Sequence, residues 1–192
     1  MADTASFDGG GAARTPDPLL VGTVVWLASE LMFFSGLFAA WFTLRGGATE
    51  WPPEGVELET ARTAAATVVL LASSVTMHLT VAAAHRDERR AATRWIGVTV
   101  ALGAVFLANQ ALEYAQATFT IGDHAYGSIF YLMTGFHGLH VLGGLVFLLV
   151  VAGVVGGRSR APAGRTLETA AAYWHFVDVV WVAMFTVVYV IS

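Results

Sequence analysis

The chain has 192 residues, 56% hydrophobic and 12% charged, with a formal net charge of −4 and a mean hydropathy of +0.65. Soluble domains carry roughly 25% charged residues, so this chain is not built to cover a water-facing surface, and its negative charge excludes an electrostatic nucleic-acid binder. It has no Cys, which removes disulfide frameworks and thiolate metal sites, and all ten of its basic residues are Arg.

The opening stretch MADTASFDGGGAARTPDP is polar and Gly-rich. Without the positive start and apolar middle of a cleaved signal, residues 1–18 read as a flexible cytoplasmic tail ahead of a membrane domain over 19–192. A helix needs about 20 mostly apolar residues to cross a bilayer. Five stretches qualify, at roughly 19–44, 63–84, 95–117, 126–155 and 168–191. The first holds Glu30 inside ASELMFFSG. The loop after it, RGGATEWPPEGVELETAR, carries the acidic cluster Glu50, Glu54, Glu57 and Glu59, which reads as solvated or as facing a basic partner. The second span contains AAA at 64–66, ASS at 72–74 and His78, and leads through HRDERRAATR into the third, where Glu113 sits about one turn from the outer end. After TFTIGDH, the fourth span holds TGFHGLH with His137 and His140, and Gly135, Gly138, Gly143 and Gly144. The fifth, after GGRSRAPAGRTLE, holds His175 and Asp178. Small residues in these spans are expected to serve helix packing, and Trp41, Trp51, Trp95, Tyr114 and Tyr126 fall near span ends, where such rings prefer the headgroup region.

The spans show no period-two alternation, which argues against a barrel, and no internal repeat, which gives an inverted-repeat transporter no support. The expected fold is all-α: a polytopic bundle of five transmembrane helices. Arg14, Arg86, Arg89, Arg90, Arg94, Arg158, Arg160 and Arg165 fall on one side, against Arg45 and Arg62 on the other. The positive-inside rule then places the N-terminus in the cytoplasm and the C-terminus outside.

An acidic residue at the centre of a span costs about 2.5–3.5 kcal/mol on insertion scales, so each needs a partner. At about 1.5 Å per residue, Glu30, Asp178, His137 and His140 reach similar depths, which allows them to meet near the midplane. Glu30 is then either a neutral acid donating one hydrogen bond or an anion paired with a protonated His. His137 and His140 share a helix face; with carboxylates from other helices such a pair suits a metal, while His78 and His175, at matching depth, suit haem. Glu113 reads equally as a solvated helix end.

Taken together, SELMFFSG at 29–36, WPP at 51–53, LEYAQATFTIGDHAYGSIFYLMTGFHGLHVLGG at 112–144 and YWHFVDVVW at 173–181 resemble subunit III of cytochrome c oxidase, in the family's order and from about residue 20 to the C-terminus. With five spans and SELMFF in the first, the chain is similar to the short form that lacks two leading helices. The resemblance implies an accessory subunit of a proton-pumping oxygen reductase in a bacterial plasma membrane. Haem and copper then lie in partner subunits I and II, with none in this chain. It also implies packing against subunit I, bound structural phospholipid, support of proton uptake and protection from turnover-dependent inactivation. Glu30 matches the carbodiimide-reactive carboxylate of relatives. It is expected to pair with His137 or His140, and Asp178 and His175 to fix the fifth span against its neighbours or subunit I. His137, His140, His175, Asp178 and Glu113 are left as a structural polar network or as contacts to lipid or subunit I; no residue is expected to be catalytic or metal-binding. The cleft wall that holds lipid in the long form is missing here, and another subunit is a candidate to fill that side. A respiratory supercomplex is a further possible setting. The alternatives are the equivalent subunit of a bo-type quinol oxidase, a nitric oxide reductase-associated homologue, and, remotely, a free-standing b-type cytochrome or small transporter.

Overall fold

The computed structural model describes residues 18–156 and 163–191. The rest of the expected tail, with Arg14, and the basic Arg158 and Arg160 lie outside the described residues. Five helices follow one another: α1 Pro18–Gly47, α2 Thr60–His85, α3 Arg89–Gln116, α4 Ala125–Gly156 and α5 Ala163–Phe185, with a last turn of π geometry over Thr186–Val190. No strand occurs among the described residues. Each of the five helices is long and apolar enough to cross a membrane. A 28-residue helix such as α3 is about 42 Å long at 1.5 Å per residue, so its ends project beyond a hydrocarbon core of about 30 Å.

Local chemistry explains where these helices begin and turn. Between α2 and α3 the chain turns within Arg86–Glu88, using Asp87 at φ 58; Asp tolerates this left-handed conformation because its short side chain bonds locally. Helix α3 therefore starts at Arg89, ahead of the apolar span, and carries Arg89, Arg90 and Arg94 on its first turns instead of in a loop. Before α4, His124 caps the helix: its Nδ1 accepts the Gly127 backbone N–H at 2.8 Å. That acceptor role requires the lone pair on Nδ1, in the manner of an N-cap side-chain oxygen.

Helices α2, α3, α4 and α5 close a four-membered ring, each touching its two neighbours, and α1 leans on α4 and α5 from outside. Trp174 and Trp181 of α5 and Phe106 of α3 are fully buried. Trp174 packs against glycines of both α3 and α4: a Cβ at Gly103 would lie 2.7 Å from its ring, and one at Gly144 2.9 Å. Only glycine permits that approach, and with little hydrophobic drive in lipid such contact supplies the packing. Gly135, Gly138 and Gly143 have their nearest neighbours at an ordinary 3.7–3.9 Å. Two indole bonds fasten α5 to α2: Trp174 Nε1 donates to Ser73 Oγ and Trp181 Nε1 to Thr67 Oγ1, both at 2.9 Å.

Candidate functional site

The polar groups at membrane depth fall into three separate places. At the first, α1 meets α4 and α5. Glu30 Oε2 lies 3.0 Å from His140 Nε2, and Trp26 Nε1 donates to Glu30 Oε1 at 3.2 Å. Trp26 stacks on Tyr173 with centroids 5.0 Å apart, and the Tyr173 hydroxyl donates to the His140 carbonyl at 2.9 Å. His140 Nδ1 is 2.7 Å from the Phe136 carbonyl, an oxygen that only accepts, so Nδ1 carries a hydrogen. One proton then remains for the Nε2–Oε2 contact. Either Glu30 holds it and donates to a neutral imidazole, or His140 holds it and donates to a carboxylate. The pair carries no net charge in either form, which is what a low-dielectric setting favours. With side chains 24% and 17% exposed, Glu30 and His140 are open to the surroundings of the bundle.

The second place is the α2–α5 seam. Ser74 Oγ donates to Asp178 Oδ2 and lies 2.8 Å from His175 Nδ1. With the hydroxyl hydrogen directed to the carboxylate, Nδ1–H of His175 donates to Oγ, giving a chain His175–Ser74–Asp178. Asp178 is 3% exposed and His175 half-buried. His78, one turn beyond Ser74 on α2, is exposed.

The third is near the ends of α2, α3 and the π turn. Glu113 is 4% exposed; it accepts from Thr63 Oγ1 at 3.1 Å and from the Tyr189 hydroxyl at 3.0 Å. Beside it Arg62 donates to Gln116 Oε1. The solvated-end reading of Glu113 is therefore corrected. Short hydroxyl side chains on α2 and the widened last turn of α5, which carries Tyr189, cover the carboxylate where sequence position alone left it open to water.

Of the two histidines proposed for Glu30 the structure selects one, and it separates residues of similar depth. His140 faces α1, whereas His137, 1% exposed, turns into the core, where its ring stacks on Trp181 at 5.0 Å and meets the Phe106 edge at 6.0 Å. Residues three apart differ by about 60° around a helix axis, enough here to send one ring to α1 and the other between α3 and α5. Asp178 accepts from Ser74 and so fastens the fifth helix to α2. Among the described residues no group of three or more His, Cys, Asp or Glu side chains is placed to hold a metal ion.

Sequence reasoning named the ionisable residues and missed their partners: Trp26, Thr63, Ser74, Tyr173 and Tyr189. For α2 a signal was present. Thr63, Thr67 and Ser74 recur at intervals of four and seven, which places hydroxyls along one helix face.

Comparison with known proteins covers the whole of this architecture. The family model for cytochrome c oxidase subunit III matches residues 1–192. A protein of Mycobacterium tuberculosis named probable cytochrome c oxidase subunit 3 is 47% identical over 184 residues, covering 92% of this chain and 89% of that protein. The Nocardia farcinica protein of the same name is 44% identical over 182 residues, covering 91% and 88%. The cytochrome c oxidase subunit 3 of Thermostichus vulcanus is 40% identical over 187 residues, covering 94% and 91%. Similarity of this extent spans every helix and every polar site just described, and the chain belongs to the cytochrome c oxidase subunit III family.

Proposed function

We propose that this chain is the accessory, non-redox subunit III of an aa-type cytochrome c oxidase in a bacterial plasma membrane. It works in complex with subunits I and II, which hold the haem and copper. Its N-terminus lies in the cytoplasm and its C-terminus outside; the uneven Arg distribution supports this orientation. In this role the subunit stabilises subunit I, holds structural phospholipid, supports proton uptake and limits inactivation during turnover.

The observation that carries the reading is the Glu30–His140 contact. An apolar chain holds, at mid-depth, one acid and one base sharing a single proton where α1 meets α4 and α5, both side chains partly exposed. Such a pair holds α1 in place and keeps a proton within reach of whatever covers it. The other candidates act as fasteners: His175 and Asp178 through Ser74, Glu113 through Thr63 and Tyr189, and His137 through its stack on Trp181.

The test is a mild-detergent purification of the tagged chain, with a reduced-minus-oxidised visible spectrum before and after its partners are stripped away. Haem a absorbance should co-purify and then leave with the partners. Absorbance that stays with the isolated chain would make His78 and His175 haem ligands and end the proposal. Co-purified haem o or b with quinol oxidase activity would move the subunit to a different branch of oxidases.

A further inference from the structure

Where the α1–α2 loop meets the end of α3, a partly enclosed cavity of about 20 Å³ is lined by Glu57, Glu59, Arg62, Glu113, Gln116 and Phe130 among others. On its wall the Arg62 guanidinium has one nitrogen engaged, Nη1, which donates to Gln116 Oε1. Its Nε and Nη2 are shielded from solvent, and neither has a hydrogen-bond partner among the described residues. Glu57, Glu59 and Glu113 all border the cavity, yet none forms an ion pair with Arg62. Glu113 is close enough to feel the Arg62 charge. Each of its oxygens accepts one bond, from Thr63 and from Tyr189, and a carboxylate oxygen has room for two.

Size and chemistry decide what fits this space. One water needs roughly 10–15 Å³ of such a cavity, and polar partners on more than one side. The volume therefore admits one water and no larger guest. The unused donors of Arg62 and the free lone pairs of Glu113 are the partners it requires. Polar groups held beyond direct contact are commonly joined by water, and shielded donors left unpaired are costly. A small anion suits the site poorly, because carboxylates on the same wall repel it. The ring of Phe130, fully buried, closes one side.

We infer that the cavity binds one ordered water, which accepts from the Arg62 guanidinium, donates to the Glu113 carboxylate and exchanges with the aqueous phase beside the α1–α2 loop. Glu113 is thereby a buried acid in single-water contact with bulk solvent. The site stands apart from the Glu30–His140 pair and does not depend on which way the chain crosses the membrane.

The experiment is radiolytic footprinting of the assembled complex in nanodiscs. A brief X-ray pulse turns bound water into hydroxyl radicals that oxidise the side chains beside it, and tandem mass spectrometry assigns each label to a residue. Phe130 and Phe106 are both fully buried rings of the same intrinsic reactivity, and of the two Phe130 alone lines the cavity. With a bound water beside only one ring, Phe130 should be labelled about tenfold more than Phe106. After mixing with water enriched in oxygen-18, its label should carry the heavy isotope to the same extent as that on Ile121, exposed in the α3–α4 loop. Arg62→Met keeps the stem and removes the donors, and should cut Phe130 labelling about fivefold. Arg45→Leu, outside the lining, should leave it within about twofold. Phe130 labelled no more than Phe106 in the wild-type complex would overturn the site without recourse to a variant. A Phe130 label without oxygen-18 would overturn the exchange with bulk solvent. Undiminished labelling in Arg62→Met, or an equal loss in Arg45→Leu, would overturn the bridge from Arg62.

Discussion

At Glu30 the useful quantity is one proton. Because Nδ1 of His140 is committed to the Phe136 carbonyl, acid and base share the remaining hydrogen between them. Glu30→Gln mimics the neutral-acid form: its amide donates to Nε2 while its oxygen still accepts from Trp26. The complex is therefore expected to assemble with this substitution; carbodiimide should label the wild-type subunit at Glu30 and fail to label the variant. Persistent labelling, mapped by mass spectrometry, would place the reactive carboxyl elsewhere. Glu30→Ala, by contrast, leaves His140 Nε2 and Trp26 Nε1 without partners and should loosen α1 by about 1–2 kcal/mol, seen as faster amide exchange in α1. Asp123, in the turn before α4, offers a pH signal. The Thr120 backbone N–H donates to its Oδ2 at 2.7 Å and, with the Thr120 side chain, holds the carboxyl below the usual aspartate range. A depressed acid stabilises the folded turn at pH above its unfolded value of about 3.9, and that contribution is lost as pH falls through the folded value. A carbon NMR titration of the Asp123 carboxyl should show a midpoint below that of unfolded aspartate, and Asp123→Asn should remove this acid-range contribution.

At the level of elements, α5 is the axle of the bundle. Its two tryptophans bond to α2, Trp174 fills the close approach of α3 and α4, and its π turn delivers Tyr189 to Glu113. Gly144→Ala drives a methyl into the rigid rings of Trp174 and Tyr173, and overpacking of this kind costs about 1–3 kcal/mol. The expected result is a lower melting temperature of the complex and a shifted Trp174 indole resonance as its bond to Ser73 breaks. Gly153→Ala meets no atom within 4 Å and should leave both unchanged. Tyr189→Phe takes one of two donors from a buried carboxylate. Interhelical bonds in membranes average about 0.6 kcal/mol, with more when a buried group is left unpaired, so amide exchange should rise in Thr186–Val190 first. The π geometry itself was not legible in the sequence. TVVYV reads as an ordinary end of a span, whereas the structure gives it a widened turn whose Tyr189 hydroxyl donates to Glu113.

For the whole molecule, orientation is the property to test, and the absence of Cys makes the test clean. A cysteine at Gly122, in the α3–α4 loop, should react with a membrane-impermeant maleimide in intact cells. One at Arg86, in the α2–α3 turn, should react only after permeabilisation. The reverse pattern would invert the proposed topology. The sequence by itself determined that this is an all-helical chain with five membrane-length helices and a member of the subunit III family. Long apolar runs and a combination of motifs are local properties, readable without knowing which helix touches which. It also exposed the costly polar residues at depth, because insertion cost belongs to residue type and position. Pairings depend on rotation and neighbour choice, and these only the tertiary structure decided. A rotation of about 60° around α4 sends His140 to Glu30 and His137 to Trp181, hydroxyls of α2 select Asp178 and Glu113, and the ring of four helices leaves α1 outside. The reason is physical. In lipid almost any face of an apolar helix is acceptable to the solvent, so the hydrophobic pattern that orients a helix in water is weak, and close packing with a few directional bonds sets the arrangement.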